Sequence, residues 1–388
     1  MEAPQVLFTV PHHHSFIQAQ LAALGPSLGP SRAYVRHNRA TELARWLPRG
    51  LPGAGLGQHA WKNLVAGPPS ANIEVRPASF TWPLRDSRSP DLGLRMARSI
   101  EPQLGDWAPD LVHAHFLALP AVAGRALAAR RQVPLVITAH GYDVYDLPFR
   151  GNGWRPRVDA CLEAAAHIIT VSERNRRILI DRLGVAPEKV TRIPNGFDPR
   201  LFKPAPAAGL GTARSILAVG NLVPIKGCDD LLDAFALLAA RDPAARLVWI
   251  GDGPLRPHLD RRIQSMGLAG RISMLGRLSH EEVAKWMVRA DLFVLASHDE
   301  GNPTVVAEAL GCGMPVVATD VGGVREVVEP RSGVLVPPQR PDLLAQALDE
   351  ALERTWDRQA ISVTAQKLAW PHLMAQVRSI YDLVTDAA

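Results

Sequence analysis

The chain has 388 residues, of which 47% are hydrophobic and 21% are charged, a composition typical of globular proteins. This length suffices for two or three domains, and no apolar run reaches the roughly 18 residues that a membrane-spanning helix needs. Three scattered cysteines, Cys161, Cys228 and Cys312, argue against a disulfide framework and favour a reducing cytoplasm. The start, MEAPQVLFTVPHHH, has no basic region and no long apolar stretch, so no signal peptide is expected.

The net charge of +5 is unevenly distributed along the chain. Residues 1–200 hold 24 Lys and Arg against 16 Asp and Glu, giving +8, and the remainder holds 19 against 22, giving −3. A basic first half favours anionic partners such as phosphorylated lipids or a membrane surface; a solvated arginine-rich surface is the alternative. Nucleic acid is disfavoured as a partner, because no short block combines basic and aromatic residues.

In the first half, strand-like runs alternate with helical patterns. QVLFTV is typical of a strand and SFIQAQLAAL of a helix, whereas residues 25–95 predict loops and short elements. DLVHAHF, PLVITAHG and HIITVSE read as strands whose ends deliver polar residues. This alternation predicts an α/β fold with parallel sheets.

The second half shows the same alternation more clearly. Strands are predicted at SILAVG, RLVWIG, RISMLG, DLFVLAS, PVVATD and GVLVPP, with helices between them. Ser279 and Glu282 form a capping-box pattern at one helix start. KPAPAAGLGTA, residues 203–213, resembles a linker. We therefore expect two doubly wound domains, residues 1–205 and 212–370, with ligands bound at the carboxyl ends of the strands in a cleft between the domains.

One strand leads into the string DEGNPTVVAEAL, which carries two acids eight residues apart, Glu300 and Glu308. Asn302 can cap the following helix and Pro303 fits its first turn. The N–H groups at this helix start would form an anion site, and Thr304 and Glu308 share one helix face. Carboxylates on both sides of an anion site fit a nucleoside diphosphate sugar, since one can bind ribose hydroxyls and the other sugar hydroxyls. The alternative is that Glu308 is an ordinary residue of the helix surface and Glu300 an ordinary charge in a loop.

The string EGNPTVVAEA resembles the E-x7-E motif of the retaining GT-B glycosyltransferases of family four. AVGNLVPIKG, IGDGP, LGRLSHEEVAKWMVRADLFVLAS and PVVATDVGG match the same family in order, as do TAHGYD, VSE and PNGFD in the first half. The resemblance covers about residues 105–385. It implies two Rossmann-like domains facing a cleft, with the last helix, residues 371–388, packing back on the first domain.

The resemblance also implies roles for residues of the second domain. Glu300 matches the acid that hydrogen-bonds the donor sugar, and Glu308 matches the ribose ligand. Lys226 matches the lysine that neutralises the diphosphate leaving group, where a cation stabilises developing charge. The segment that holds the sugar and the β-phosphate corresponds to Gly301, Asn302, Pro303 and Thr304.

The chain departs from the family pattern at Asn221, where an arginine usually helps to hold the diphosphate. An asparagine carries no charge, and charge-assisted hydrogen bonds are roughly twice as strong as neutral ones. Donor binding should therefore be weaker unless Arg277 or Arg325 compensates.

Further residues match the family near the donor. His140 resembles the histidine that touches the donor sugar from the first domain; a structural histidine is the alternative. Asp143 follows it and reads as a turn cap. Main-chain groups of Gly276, Arg277 and Leu278 resemble the loop that reads the base. Asn195 falls in a turn, PNGFD, that lies near the donor site in the family.

His12, His13 and His14 follow the first strand and suit a cleft contact or a surface loop better than a metal site. No metal and no cofactor is expected, because the resemblance implies the GT-B type of reaction, in which Lys226 and helix dipoles take the place of a metal ion.

The predicted function is transfer of a sugar, with retention, from a UDP- or GDP-linked donor to a glycan or lipid-linked acceptor. The protein is expected in the cytoplasm or at the inner face of its membrane. A GT-B epimerase or nucleotide-sugar hydrolase and a non-catalytic nucleotide-sugar sensor are the alternatives.

Overall fold

A computed structural model describes residues 3–11, 15–38, 71–80, 91–151, 153–205 and 214–387. The chain forms two compact units, Met1–Pro194 with Leu373–Ala388, and Asn195–His372. The first unit thus ends at Pro194, earlier than the expected boundary at 205. The histidines at 12–14 and residues 206–213 of the predicted linker lie outside the described residues.

The first unit contains a seven-stranded parallel sheet in the order β3-β2-β1-β4-β5-β6-β7. Its strands are β1 Val6–Val10, β2 Ser31–Asn38, β3 Ile73–Phe80, β4 Leu111–His115, β5 Leu135–Ala139, β6 His167–Thr170 and β7 Val190–Arg192. Its α-helices are α1 Ser15–Leu24, α2 Leu92–Leu104, α3 Leu119–Arg131, α4 Tyr142–Tyr145, α5 Trp154–Ala164 and α6 Glu173–Arg177, followed by a π-helical turn, Ile178–Arg182.

The second unit contains a six-stranded parallel sheet in the order β10-β9-β8-β11-β12-β13. Its strands are β8 Arg214–Val219, β9 Ala245–Ile250, β10 Ile272–Gly276, β11 Leu292–Leu295, β12 Val316–Thr319 and β13 Gly333–Val336. Its helices are α7 Cys228–Arg241, α8 Arg256–Ser265, α9 His280–Arg289, α10 Thr304–Gly311, α11 Pro341–Glu353 and α12 Arg358–Ala365. The last helix, α13 Trp370–Asp386, begins in the second unit and continues into the first.

Both faces of the second sheet are buried, as is usual for parallel strands. Along β8, Ile216 and Ala218 belong to the core on one face, whereas Leu217 belongs to the core on the other. The same alternation places Leu292 and Phe293 of β11 on opposite faces. These continuous apolar runs explain why the strands could be predicted from the sequence.

Each sheet reverses its strand order at one point, between β1 and β4 in the first unit and between β8 and β11 in the second. Ligands of open α/β sheets bind outside the carboxyl ends of the strands at such a point. The segments that leave β8 and β11 are therefore the first place to search for a site in the second unit. They carry the two residues to which the sequence assigned the chemistry, Lys226 and Glu300.

Candidate active site

Lys226 and Glu300 meet at the switch point of the second sheet. Lys226 ends a short 3-10 turn, Pro224–Lys226, after β8, and Glu300 lies in the loop after β11. Nζ of Lys226 lies 2.5 Å from Oε1 of Glu300, and their side chains are 29% and 9% exposed. This direct ion pair was not predicted from the sequence, which assigned the two residues separate contacts with a ligand.

The glutamate carboxylate is held at one oxygen only. The hydroxyl of Ser297, itself fully buried, donates to the same Oε1 at 2.6 Å. Ser297 is fixed in turn, because Thr319 at the end of β12 donates to its carbonyl oxygen at 2.5 Å. No described residue hydrogen-bonds Oε2 of Glu300, so this oxygen can accept from a hydroxyl group of a ligand.

The helix that follows, α10, starts differently from the expectation. Asn302 does not cap it: its Oδ1 accepts the backbone N–H of Asn195 at 2.9 Å. Pro303 occupies the N-cap position without a side-chain cap, so the anion site cannot use residue 303, which has no N–H. Within the described residues, the N–H groups of Thr304 and Val305 have no hydrogen-bond partner. They leave a helix N-terminus suited to an anion.

Asn195 and Asn302 bind one another across 107 positions of sequence. Nδ2 of Asn195 also approaches the carbonyl oxygen of Asn302, at 3.4 Å. Oδ1 of Asn195 and Nδ2 of Asn302 are buried, and no described residue hydrogen-bonds them. Since buried polar atoms are normally paired, these two amide atoms mark the start of α10 as a place completed by a water or a ligand.

Glu308 lies one turn further along α10 and is half-buried. Burial raises the pKa of its carboxyl to about 7. No hydrogen bond or ion pair to this carboxyl occurs among the described residues, in contrast to Glu300. A perturbed acid without a structural partner is typical of a binding or catalytic group.

The arginine missing at position 221 is not replaced by Arg325. That side chain makes two hydrogen bonds to Asp320, one of them by Nε to Oδ1 at 2.8 Å. Asn221 is exposed, and its amide has no partner among the described residues. Arg277 is likewise exposed, and no ion pair of it is found in the described chain. Of the two candidates, Arg277 is the one available to compensate.

Gly276 ends β10, and Arg277 and Leu278 follow it at the same sheet edge. The carbonyl oxygen of Gly276 accepts the N–H of Gly251 at 2.8 Å, which ties the ends of β9 and β10 together. Gly276 has a φ of +74°, a left-handed conformation that glycine adopts at little cost. Within the part of the chain that the structure describes, no backbone hydrogen bond to the N–H groups of Arg277 and Leu278 is found.

In the first unit, His140 follows β5 and is held by two buried groups. Its Nε2 lies 3.1 Å from Nδ1 of His115, and its Nδ1 is buried. The carboxylate of Asp143, predicted as a turn cap, is fully buried and accepts the N–H groups of His140, Gly141 and Leu117 at 3.0, 2.6 and 2.9 Å. Burial raises the pKa of Asp143 to about 6 and lowers that of His115 to about 3. His115 is therefore neutral at physiological pH.

Sequence reasoning missed His115, although DLVHAHF indicated a strand whose end delivers polar residues. The expectation that the last helix packs back on the first domain did not name the residues in contact, where Nδ1 of His113 lies 2.5 Å from the hydroxyl of Tyr381. Both histidines lie on β4 and stack with ring centroids 4.5 Å apart. Alternation along a strand places residues 113 and 115 on one face, which is the signal that could have paired them.

The described residues contain no group of three or more His, Cys, Asp and Glu side chains arranged to hold a metal. None of the described helices is both long enough and apolar enough to cross a membrane.

Comparison with known proteins identifies the family. Residues 207–368 match the family Glycosyl transferases group 1, and residues 64–201 match Glycosyltransferase Family 4. A D-inositol 3-phosphate glycosyltransferase of Jonesia denitrificans is 31% identical over 311 residues, which cover 72% of this chain and 73% of that protein. The chain belongs to the group 1 glycosyl transferases.

A second relative of this glycosyltransferase is the gpi3 subunit of the phosphatidylinositol N-acetylglucosaminyltransferase of Schizosaccharomyces pombe, 30% identical over 56% of this chain. The chain spans about half of that protein, 49% of its length. Among solved structures, HepE of Anabaena in complex with UDP has a TM-score of 0.73, with 20% identity over 97% of this chain and 99% of that one. This likeness confirms the two-domain α/β fold of GT-B type.

Proposed function

We propose that this glycosyltransferase transfers a sugar, with retention at the anomeric carbon, from a nucleoside diphosphate sugar to an acceptor hydroxyl. The observation that carries the proposal is the Lys226–Glu300 pair at the switch point of the second sheet. It is followed by a helix start whose first N–H groups have no partner among the described residues. A cation and a helix N-terminus suit a diphosphate. The carboxylate beside them suits the hydroxyl groups of a sugar.

In this mechanism, the glycosidic bond between C1 and the phosphate oxygen breaks while the acceptor oxygen bonds to C1 on the same face. Lys226 and the N–H groups of Thr304 and Val305 stabilise the negative charge that develops on the diphosphate. The departing phosphate oxygen takes the proton of the acceptor hydroxyl. We assign Glu300 the role of a hydrogen-bond acceptor rather than a nucleophile: Lys226 and Ser297 hold its Oε1, and its Oε2 accepts from a hydroxyl of the donor sugar.

The remaining residues of the donor site follow from the family resemblance. Glu308 would accept the ribose hydroxyls, and the main chain of residues 276–278 would contact the base. Gly301 and Asn302 would line the sugar and the β-phosphate, and His140 would contact the sugar from the first unit. UDP is the favoured nucleotide, since the structurally similar HepE was solved in complex with UDP and with UDP-glucose.

An anionic or lipid-linked acceptor, used in cell-surface glycan synthesis, is the favoured acceptor class. Two relatives are named for D-inositol 3-phosphate and for phosphatidylinositol, and residues 1–200 carry a charge of +8. In the first unit, Arg182 stacks on Phe149 at 4.0 Å, and this aromatic ring is 40% exposed. An exposed aromatic ring beside a cation suits the surface of an anionic membrane. Co-sedimentation with phosphatidylserine vesicles, but not with phosphatidylcholine vesicles, would support membrane contact.

The donor is tested by calorimetric titration of UDP, GDP and ADP into the wild type and Lys226→Ala. We expect one nucleotide to bind and to lose affinity in the variant. The anomeric configuration of the product, read from proton NMR coupling constants, then tests retention. Inversion would exclude the proposed mechanism. Binding without transfer to any acceptor would favour a sensor, and release of free sugar alone would favour a hydrolase.

A further inference from the structure

The turn that carries Lys226 and the loop that carries Glu300 are joined by more than their own ion pair. The backbone N–H of His298 donates to the carbonyl oxygen of Ile225 at 2.8 Å. The ring of His298 reaches in the other direction, and its Nε2 lies 2.7 Å from Oδ2 of Asp230. His298 therefore contacts the chain immediately before Lys226 and again one helical turn after it.

Gly227 shows how closely the two segments pack. It has a φ of +60°, and a Cβ built on it would lie 1.9 Å from the carbonyl oxygen of Ala296 and 3.3 Å from Nε2 of His298. The turn after β8 thus packs in direct backbone contact with the segment that follows β11. Loss of the His298 side chain would remove one of the contacts that join these two segments and leave the His298–Ile225 backbone hydrogen bond and the Lys226–Glu300 ion pair to hold them.

We propose that His298 and Asp230 form a positioning pair that holds Lys226 against Glu300. The inference rests on the proposed function, since it concerns the same site. Neither residue touches the reacting atoms in this scheme. Their hydrogen bond fixes the distance between the loop after β11 and the first turn of α7, and so fixes the ammonium group that stabilises the diphosphate.

The chain supplies a matched control in the neighbouring residue. Asp229 also lies in the first turn of α7 and also binds a histidine, with 2.8 Å between its Oδ1 and Nε2 of His258. His258 lies on α8 and not in the loop that carries Glu300. Both pairs tie the start of α7 to another segment, although Asp229 is also held by Arg262, with 2.6 Å between Nη1 and Oδ1. In the proposal, a role in placing Lys226 belongs to His298 and not to His258.

The kinetic test compares His298→Ala, His298→Gln and His258→Ala, with turnover followed as release of UDP from UDP-glucose. In His298→Ala we expect kcat to fall about tenfold to a hundredfold, because small misplacements of a catalytic group are costly, while KM changes less. In His298→Gln the side-chain Nε2 can still donate to Asp230, so most of the activity should return. His258→Ala should keep the kcat of the wild type.

A double-mutant cycle tests whether the two residues act as a unit. Asp230→Ala with His298→Ala should lower kcat no further than either single change, because coupled residues are not additive. Additive losses would overturn the proposal. So would equal kcat values for His298→Ala and His258→Ala, or a glutamine variant as slow as the alanine variant.

A second measurement does not depend on turnover. Hydrogen exchange of the amides in residues 224–230 and 296–301 should be faster in His298→Ala than in His258→Ala, since only the first change removes a hydrogen bond between these two segments. Equal exchange in the two variants would overturn the positioning role. If the wild type released no nucleoside diphosphate from UDP-, GDP- or ADP-linked sugars in the presence of acceptors, the proposed function would fail, while this exchange result would still decide whether the pair holds the loop.

Discussion

A Cβ built on Gly322 would lie 1.6 Å from the carbonyl oxygen of Glu300. Gly322 follows β12, and its φ of +51° lies in the left-handed region. The loop that carries Glu300 therefore rests on a position where no side chain fits. The contact between Gly322 and the loop of Glu300 became visible only in the fold.

Replacing Gly322 with alanine should displace Glu300. We expect kcat/KM to fall about a hundredfold or more, because a shift of about 1 Å at a catalytic group has that effect. The control is Gly267→Ala, since Gly267 has a similar φ of +70° and an added Cβ would meet nothing within 4 Å. Steady-state kinetics of both variants separates the effect of the steric clash with Glu300 from the effect of placing alanine at a positive φ angle. Similar losses in the two would refute the explanation.

Asn221 offers a gain-of-affinity test. Asn221→Arg should strengthen UDP binding about tenfold, because a hydrogen bond to a charged group is worth about 1.5–3 kcal/mol. Asn221→Gln adds length without charge and should leave the affinity near that of the wild type. Arg277→Ala should weaken binding if Arg277 compensates for the missing arginine. Calorimetry at fixed salt measures all three, and an unchanged affinity in Asn221→Arg would place residue 221 away from the diphosphate.

Glu308 should make donor binding depend on pH. Burial raises the pKa of its carboxyl to about 7, so this group becomes ionised as the pH rises through 7. The ionised form is the better acceptor for ribose hydroxyls, and UDP affinity should therefore rise between about pH 6 and pH 8 more in the wild type than in Glu308→Gln. Comparing the two proteins removes the titration of UDP itself. Parallel profiles would mean that Glu308 does not bind the nucleotide in its ionised form.

The same shift has a consequence for stability. A carboxyl whose pKa is raised on folding binds more protons in the folded state, so its contribution to stability decreases as the pH rises from about 4.5 to about 7. In Glu308→Gln this decrease should be smaller. Urea unfolding at pH 5 and pH 8 measures the difference between the two proteins.

Much of the second unit could be predicted because its signals are local. The buried strands appear as short apolar runs, and the capping box of Ser279 and Glu282 is present as the spacing indicated. Lys226 and Glu300 could be placed at strand ends, but their direct contact spans 74 positions. Asn302 could not be assigned correctly, since its side chain binds Asn195 instead of the adjacent helix start. Contacts between distant segments leave no periodic pattern in the sequence.

The contact between the last helix and the first sheet is a further long-range feature, and it gives the last prediction. The hydroxyl of Tyr381 on α13 lies 2.5 Å from Nδ1 of His113, and both side chains are buried. Tyr381→Phe keeps the ring but leaves a buried imidazole nitrogen unpaired, which costs about 1–3 kcal/mol. Urea unfolding should show this loss in the first unit. The control is Ser379→Ala on the same helix, whose exposed hydroxyl bonds only the carbonyl oxygen of Ala375 and whose loss should change stability by less than about 0.5 kcal/mol. An equal effect of the two changes would mean that the hydrogen bond to His113 does not fasten α13 to the sheet.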